Sequence, residues 1–200
     1  MINGKKAANR SLRWGMIGGG GTSQIGYIHR SAAQRDGNFT LLAGAFDIDA
    51  GRGREFGQAL GVAPDRCYPD YASLFAGEAA REEGIEAVSI ATPNNTHFAI
   101  CRAALNAGLH VVCEKPLCFT VDEADELEQL SREKQKIVGV TYGYAGHQLI
   151  HQAREMIAAG ALGEIRIVNM QFAHGFHNEA VELQSESTRW RVDPRFVGPS

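Results

Sequence analysis

The sequence predicts an α/β fold: a doubly wound parallel sheet with helices on both faces, followed by the start of a second, α+β open-sheet domain. Three observations predict it. Five short apolar runs rich in β-branched residues recur along the 200 residues, helical patterns separate them, and a glycine-rich turn follows the first run. Strands covered on both faces read as nearly continuous apolar runs, and strand–helix alternation over short connections is the sequence form of such a sheet.

The first strand is LRWGMI at 12–17, and Gly18, Gly19, Gly20 and Gly21 make the turn after it. Glycine loses the most backbone freedom on folding, so four in a row need a strained turn or a close-approaching ligand. Both needs meet in the first strand-to-helix turn. Ligands bind such sheets at the C-terminal strand ends, and a helix N-terminus offers free N–H groups and a positive dipole end to a pyrophosphate. The spacing is longer than G-x-G-x-x-G: Gly18 and Gly20 fit, Ser23 stands where the third glycine belongs, and Gly26 follows. FTLLAGAF at 39–46 is the second strand and delivers Asp47, whose carboxylate can accept from both hydroxyls of an adenosine ribose. A turn or N-cap role is the alternative for Asp47, a role Asp49 can take instead.

EAVSIA at 86–91 is the third strand, closed by ATPNNTHF at 91–98. There Pro93 forces Thr92 into an extended conformation, and the asparagine pair is suited to cap the next helix. Residues 97–107 place Phe98, Cys101, Ala104 and Leu105 on one helical face. LHVVCE at 109–114 is the fourth strand and leaves through Glu114, Lys115 and Pro116. Thr120-Val-Asp-Glu123 is a capping box that starts a helix at about Val121, and KIVGVTY at 136–142 is the fifth strand. A second amphipathic pattern at 148–159 carries Leu149, Ile150, Ala153, Met156 and Ile157 and ends before Gly160 and Gly163. EIRIVNMQFAHGF at 164–176 alternates like a half-buried strand. Residues 1–11 therefore read as a tail, 12–145 as a dinucleotide-binding domain, and 146–200 as the beginning of a second domain.

Composition narrows the function. With 44% apolar and 22% charged residues the chain is ordinary globular material, and a net charge of −3 offers no attraction to nucleic acid or an anionic membrane. No apolar stretch approaches the ~20 residues of a membrane span and no apolar segment follows the first eleven residues, so a cytoplasmic protein is expected. Cys67, Cys101, Cys113 and Cys118 lack C-x2-C spacing and read as buried free thiols. His147 and His151 lie one helical turn apart, with His174 and His177 further on, but without the Glu of H-E-x-x-H; no metal is expected.

ATPNNTH at 91–97, followed about seventeen residues later by EKP at 114–116, resembles the N-terminal part of the Gfo/Idh/MocA oxidoreductases, the family of glucose-fructose oxidoreductase and inositol dehydrogenase. The resemblance runs from about Leu12 to the end. It implies a Rossmann domain and an NAD(P)-dependent oxidoreductase that moves hydride between the nicotinamide and a secondary hydroxyl or ketone of a sugar or cyclitol. NAD is expected, since Asp47 repels a 2′-phosphate; NADP stays open because Arg52 and Arg54 attract one.

By that resemblance Gly18, Gly20, Ser23, Gly26 and Asp47 bind the cofactor. Thr92, Pro93, Asn94, His97, Glu114 and Lys115 line its nicotinamide side; for His97 a solvated ring at a helix start is an equal alternative. Lys115 is the catalytic and substrate-binding lysine, its ammonium stabilising the alkoxide that develops as hydride leaves, and Pro116 follows a cis peptide. RWRVDP at 189–194 resembles a W-R-x-D-P stretch, which sets Trp190 and Arg191 at the substrate. A homo-oligomer built through the second domain is implied as well. The family's next segment supplies an acidic residue and, four positions on, the general-base His. Neither occurs before Ser200, so the expectation is the front portion of a longer enzyme, inactive by itself. A non-catalytic dinucleotide-binding or redox-sensing module is the alternative should the natural chain end near residue 200.

Overall fold

The protein is seen as a computed structural model that describes residues 10–173, 175, 180 and 192–198. Five parallel strands, β1 (Leu12–Gly18), β2 (Phe39–Ala45), β3 (Ala87–Ala91), β4 (His110–Cys113) and β5 (Val138–Val140), stand in the order β2-β1-β3-β4-β5. Every one falls on an apolar run read from the sequence. From β1 the chain winds one way to β2 and the other way to β3, β4 and β5. The strand order therefore reverses between β1 and β3, the place where a crevice opens at the C-terminal strand ends. Beyond β2, Cys67 forms a single parallel bridge to Gly44. That is the position of the outer strand in the common 3-2-1-4-5-6 order, here reduced to one residue pair.

Five helices cover the sheet: α1 (Gln24–Arg35), α2 (Ala50–Ala59), α3 (Tyr71–Ala79), α4 (His97–Asn106) and α5 (Val121–Lys134). Buried side chains of β1 alternate between two clusters. Trp14 and Met16 join Phe46, Val62 and Cys67, while Ile17 joins Leu74, Val88, Ile90, Leu105 and Leu127. Apolar residues are thus needed on both faces, which is why the strands carry no polar alternation. The capping box is complete: Glu123 N–H donates to Thr120 Oγ1 at 3.2 Å, and Thr120 N–H donates to Glu123 Oε2 at 3.2 Å. The asparagine pair does not fill its expected place. A 3-10 turn over Asn94–Thr96 intervenes after Pro93, and Thr96 becomes the N-cap position of α4 with its hydroxyl turned to Pro93 O.

The chain divides between Val140 and Thr141. The second unit holds α6 (Gln148–Ala158), entered through a 3-10 turn at Gly143–Gly146 and followed by Gly160 at φ +71°. Residues 164–173 carry the alternation expected of a strand, but they form none, and Ile167, Val168, Met170 and Phe172 are exposed. A strand needs another strand to bond, and among the described residues none pairs with this segment, whose Phe172 instead meets the Tyr144 ring edge-on at 5.5 Å. Among the described residues no helix is long and apolar enough to cross a membrane, and no group of three His, Cys, Asp or Glu could hold a metal ion. None of the four cysteines is in a disulfide; Cys67, Cys101 and Cys113 are buried and Cys118 is half-buried.

Candidate functional site

Strand register brings the expected residues to one edge of the sheet. Ile17 pairs with Ala45, Gly18 with Ala91, and Ile90 with Cys113, so four strands end nearly level. Along that edge follow Asp47 after β2, the glycine turn after β1, residues 92–97 after β3 and residues 114–116 after β4.

The turn is built by close backbone packing. Gly19 sits at φ +70°, and a Cβ there would strike Gly26 Cα at 2.8 Å as well as the Met16 side chain. A Cβ on Gly20 would lie 2.5 Å from Phe46 O, to which the Gly20 N–H already donates at 3.1 Å. Gly26 lies in the first turn of α1 against Gly19, so it performs the helix-packing task of a third fingerprint glycine, three residues later than the usual spacing. Ser23 is the N-cap of α1, its hydroxyl accepting from Gly26 N–H at 3.1 Å. The glycine that faces open space is Gly21, with nothing within 4 Å of a Cβ; the motif spacing had not singled it out.

Arg30 is a second residue the sequence reading missed. Its guanidinium is buried, donates to Gly19 O at 2.7 Å and lies over the Phe56 ring at 5.0 Å. Burial lowers its pKa from the ordinary arginine value. A buried cation under the turn adds positive field where the helix N-terminus already points. On the far side of the turn, Asp47 accepts from Asp49 N–H and from Arg52 Nη2, each at 2.8 Å. The Arg52 bond, then the Asp49 N–H, hold its carboxyl below the usual range. Asp49 takes the N-cap role for α2, accepting from Arg52 N–H at 2.8 Å. Beside them Ile48 is 98% exposed, an apolar side chain with no core to fill.

On the other flank, Pro93 is exposed and Thr92 donates its hydroxyl to Thr96 Oγ1 at 2.7 Å, since the Thr96 hydroxyl is itself given to Pro93 O. Asn94 is half-buried on the same turn. His97 departs from both expectations for it. Its ring is fully buried, with Nδ1 2.7 Å from Pro116 O and Nε2 2.9 Å from Thr92 O, so it is neither solvated nor open to a ligand. The Lys115–Pro116 peptide is cis. Lys115 is exposed, and Glu114 accepts from His29 Nε2 at 2.9 Å. His29, on α1, is a third residue the sequence did not signal, because its partner lies 85 residues away. Trp190 and Arg191 lie outside the described residues.

The model of the family described as "Oxidoreductase family, NAD-binding Rossmann fold" (GFO_IDH_MocA) matches residues 12–142. The chain is 55% identical over its whole length to an uncharacterized oxidoreductase, YfiI, of Bacillus subtilis strain 168, covering 51% of that protein. Among solved structures, an inositol dehydrogenase homolog from Azotobacter vinelandii complexed with NAD+ is 69% identical with a TM-score of 0.95, over 100% of this chain and 51% of that one. A structure of an inositol dehydrogenase homolog from the same organism with NADH and myo-inositol is 66% identical, TM-score 0.89, over 96% of this chain and 49% of that one. The chain thus spans about half the length of the relatives it matches.

Proposed function

The chain belongs to the Gfo/Idh/MocA oxidoreductase family, whose NAD-binding Rossmann fold it carries, and on that premise we propose that the protein oxidises a secondary ring hydroxyl of a cyclitol or sugar with NAD+. The observation that carries the reading is the shared edge: Asp47, the glycine turn, Thr92–His97 and Lys115 follow one another across the β1/β3 reversal. The residues fit a dinucleotide. Open space over Gly21 adjoins the first turn of α1, whose N–H groups and underlying Arg30 suit a pyrophosphate. Asp47, kept ionised by Arg52, suits the ribose hydroxyls and disfavours a 2′-phosphate. When bound, the nicotinamide accepts the hydride. Lys115, at the β4 exit, holds the substrate oxygen and stabilises its negative charge as the hydroxyl proton leaves to a general base. The myo-inositol complex of the related homolog supports a cyclitol as the first substrate to try.

Calorimetric titration of these 200 residues with NAD+ and NADP+, followed by initial rates of NADH formation on myo-inositol, other cyclitols and pyranoses with the protein at its natural length, tests the reading. NAD+ should bind more tightly than NADP+, and at least one cyclitol or sugar should yield NADH. Tighter NADP+ binding would overturn the cofactor assignment. Tight NAD+ binding with no NADH from any polyol would favour the dinucleotide-binding module instead.

A further inference from the structure

The residue on each side of Lys115 is held by a buried imidazole, Glu114 by its side chain and Pro116 by its backbone carbonyl. On the N-terminal side, His29 of α1 donates from Nε2 to the Glu114 carboxylate at 2.9 Å, with side-chain exposures of 6% and 13%. On the C-terminal side, the fully buried His97 ring of α4 lies between two carbonyls, Pro116 O at 2.7 Å and Thr92 O at 2.9 Å. One ring thus joins the loop after β3 to the loop after β4. In either neutral tautomer it gives its N–H to one carbonyl, and the doubly protonated ring satisfies both. Lys115 itself is exposed, and among the described residues its ammonium has no hydrogen-bond or ion-pair partner. A lysine on a four-carbon stem with nothing at its tip is aimed only as well as its backbone is fixed.

We propose that His29 and His97 are positioning residues that together clamp the Glu114–Pro116 tripeptide and so aim Lys115. His29 ties it to the helix under the glycine turn, and His97 ties it to the Thr92 loop. Neither ring reaches the substrate oxygen in this scheme; each acts through Lys115. The proposal rests on the functional reading above for what Lys115 does, but not for how it is held.

Two measurements on the NAD+-loaded protein at its natural length test it. The first needs no turnover: acetic anhydride labelling, read by peptide mass spectrometry, gives the rate at Lys115 relative to the exposed Lys134. His97→Phe, which keeps an aromatic ring of somewhat larger size and removes both nitrogens, and His29→Gln should each change that ratio by about threefold or more. The second is kinetic. His97→Phe should lower kcat about 10- to 100-fold with NAD+ affinity within about threefold, and His97→Gln, which restores a donor, should recover most of the loss. In a Lys115→Ala background, His97→Phe should cost almost nothing further, because the group it aims is gone. An unchanged labelling ratio in both single variants overturns the clamp, as does a loss in the double variant that equals the product of the single losses. Should His97→Phe fail to fold, His29→Gln decides alone, by the same ratio and the same cycle. Failure of the wild type to oxidise any polyol would count against the functional reading and leave the labelling result to judge the clamp.

Discussion

At the scale of single residues, the charges of the candidate site other than Lys115 are each placed by a named partner. Arg52 Nη2 sits on Asp47 Oδ1, so on the proposed reading the cation that would welcome a 2′-phosphate is spent on the carboxylate that would exclude it. Asp47→Ala removes the repulsion and frees Arg52 together. The NADP+/NAD+ affinity ratio should rise about 10- to 100-fold by parallel titrations, and an unchanged ratio would show that specificity lies elsewhere. On the proposed reading, in which the lysine acts on charge formed during reaction, Lys115→Ala should lower kcat by about two to four powers of ten with NAD+ affinity nearly intact. Asp47 and Lys115 were legible in the sequence because each follows an apolar run at a predictable strand end. His29, Arg30 and the buried setting of His97 were not. Their partners, Glu114, the Gly19 carbonyl, and the carbonyls of Thr92 and Pro116, are joined to them only by folding, and a backbone acceptor leaves no mark on the residue pattern.

At the scale of elements, the strands and the α5 cap were readable because burial on both faces and reciprocal capping each impose a local pattern. The outer strand at Cys67 was not, because one bridge selects no run of residues. The segment 164–173 errs in the other direction: its residues alternate as a strand's do, but pairing cannot be read from one segment alone. The glycine turn separates folding from binding in a testable way. Gly19→Ala combines a left-handed φ with a clash against Gly26, and should cost about 2 to 4 kcal/mol of stability in a denaturant titration. Gly21→Ala meets open space at φ +55° and should cost only about 1 kcal/mol, while on the proposed reading NAD+ affinity falls several-fold, the new methyl entering the volume proposed for the pyrophosphate. Equal NAD+ affinity in wild type and Gly21→Ala would move the phosphate site away from the turn. Thr120→Ala, which opens the capping box, should cost about 1 kcal/mol and leave NAD+ binding unchanged.

At the scale of the whole molecule, the sheet's other end carries its own electrostatic clasp. Arg10 bonds Glu86 through Nη1 at 2.7 Å and Nη2 at 2.6 Å, joining the entry to β1 with the entry to β3. The Arg10 bond holds the Glu86 carboxyl down at about 2, opposed by partial burial. A carboxylate with a depressed folded-state pKa stabilises above its unfolded value, near 4.5, and loses that contribution as pH falls toward 2. Between pH 5 and pH 2 the wild type should therefore lose about 1 kcal/mol more than Glu86→Gln, read from melting curves at each pH; parallel losses would show that the pair contributes nothing. The thiols have a different consequence, a practical one. Burial closes off Cys67, Cys101 and Cys113, and the Cys101 partner and burial together push the Cys113 thiol up, leaving half-buried Cys118 as the one with a face to solvent. Cys118 lies three residues past Lys115, on the same loop. Within these 200 residues a maleimide fluorophore should attach there in a single equivalent, giving them a built-in optical reporter for the arrival and departure of ligands beside the lysine.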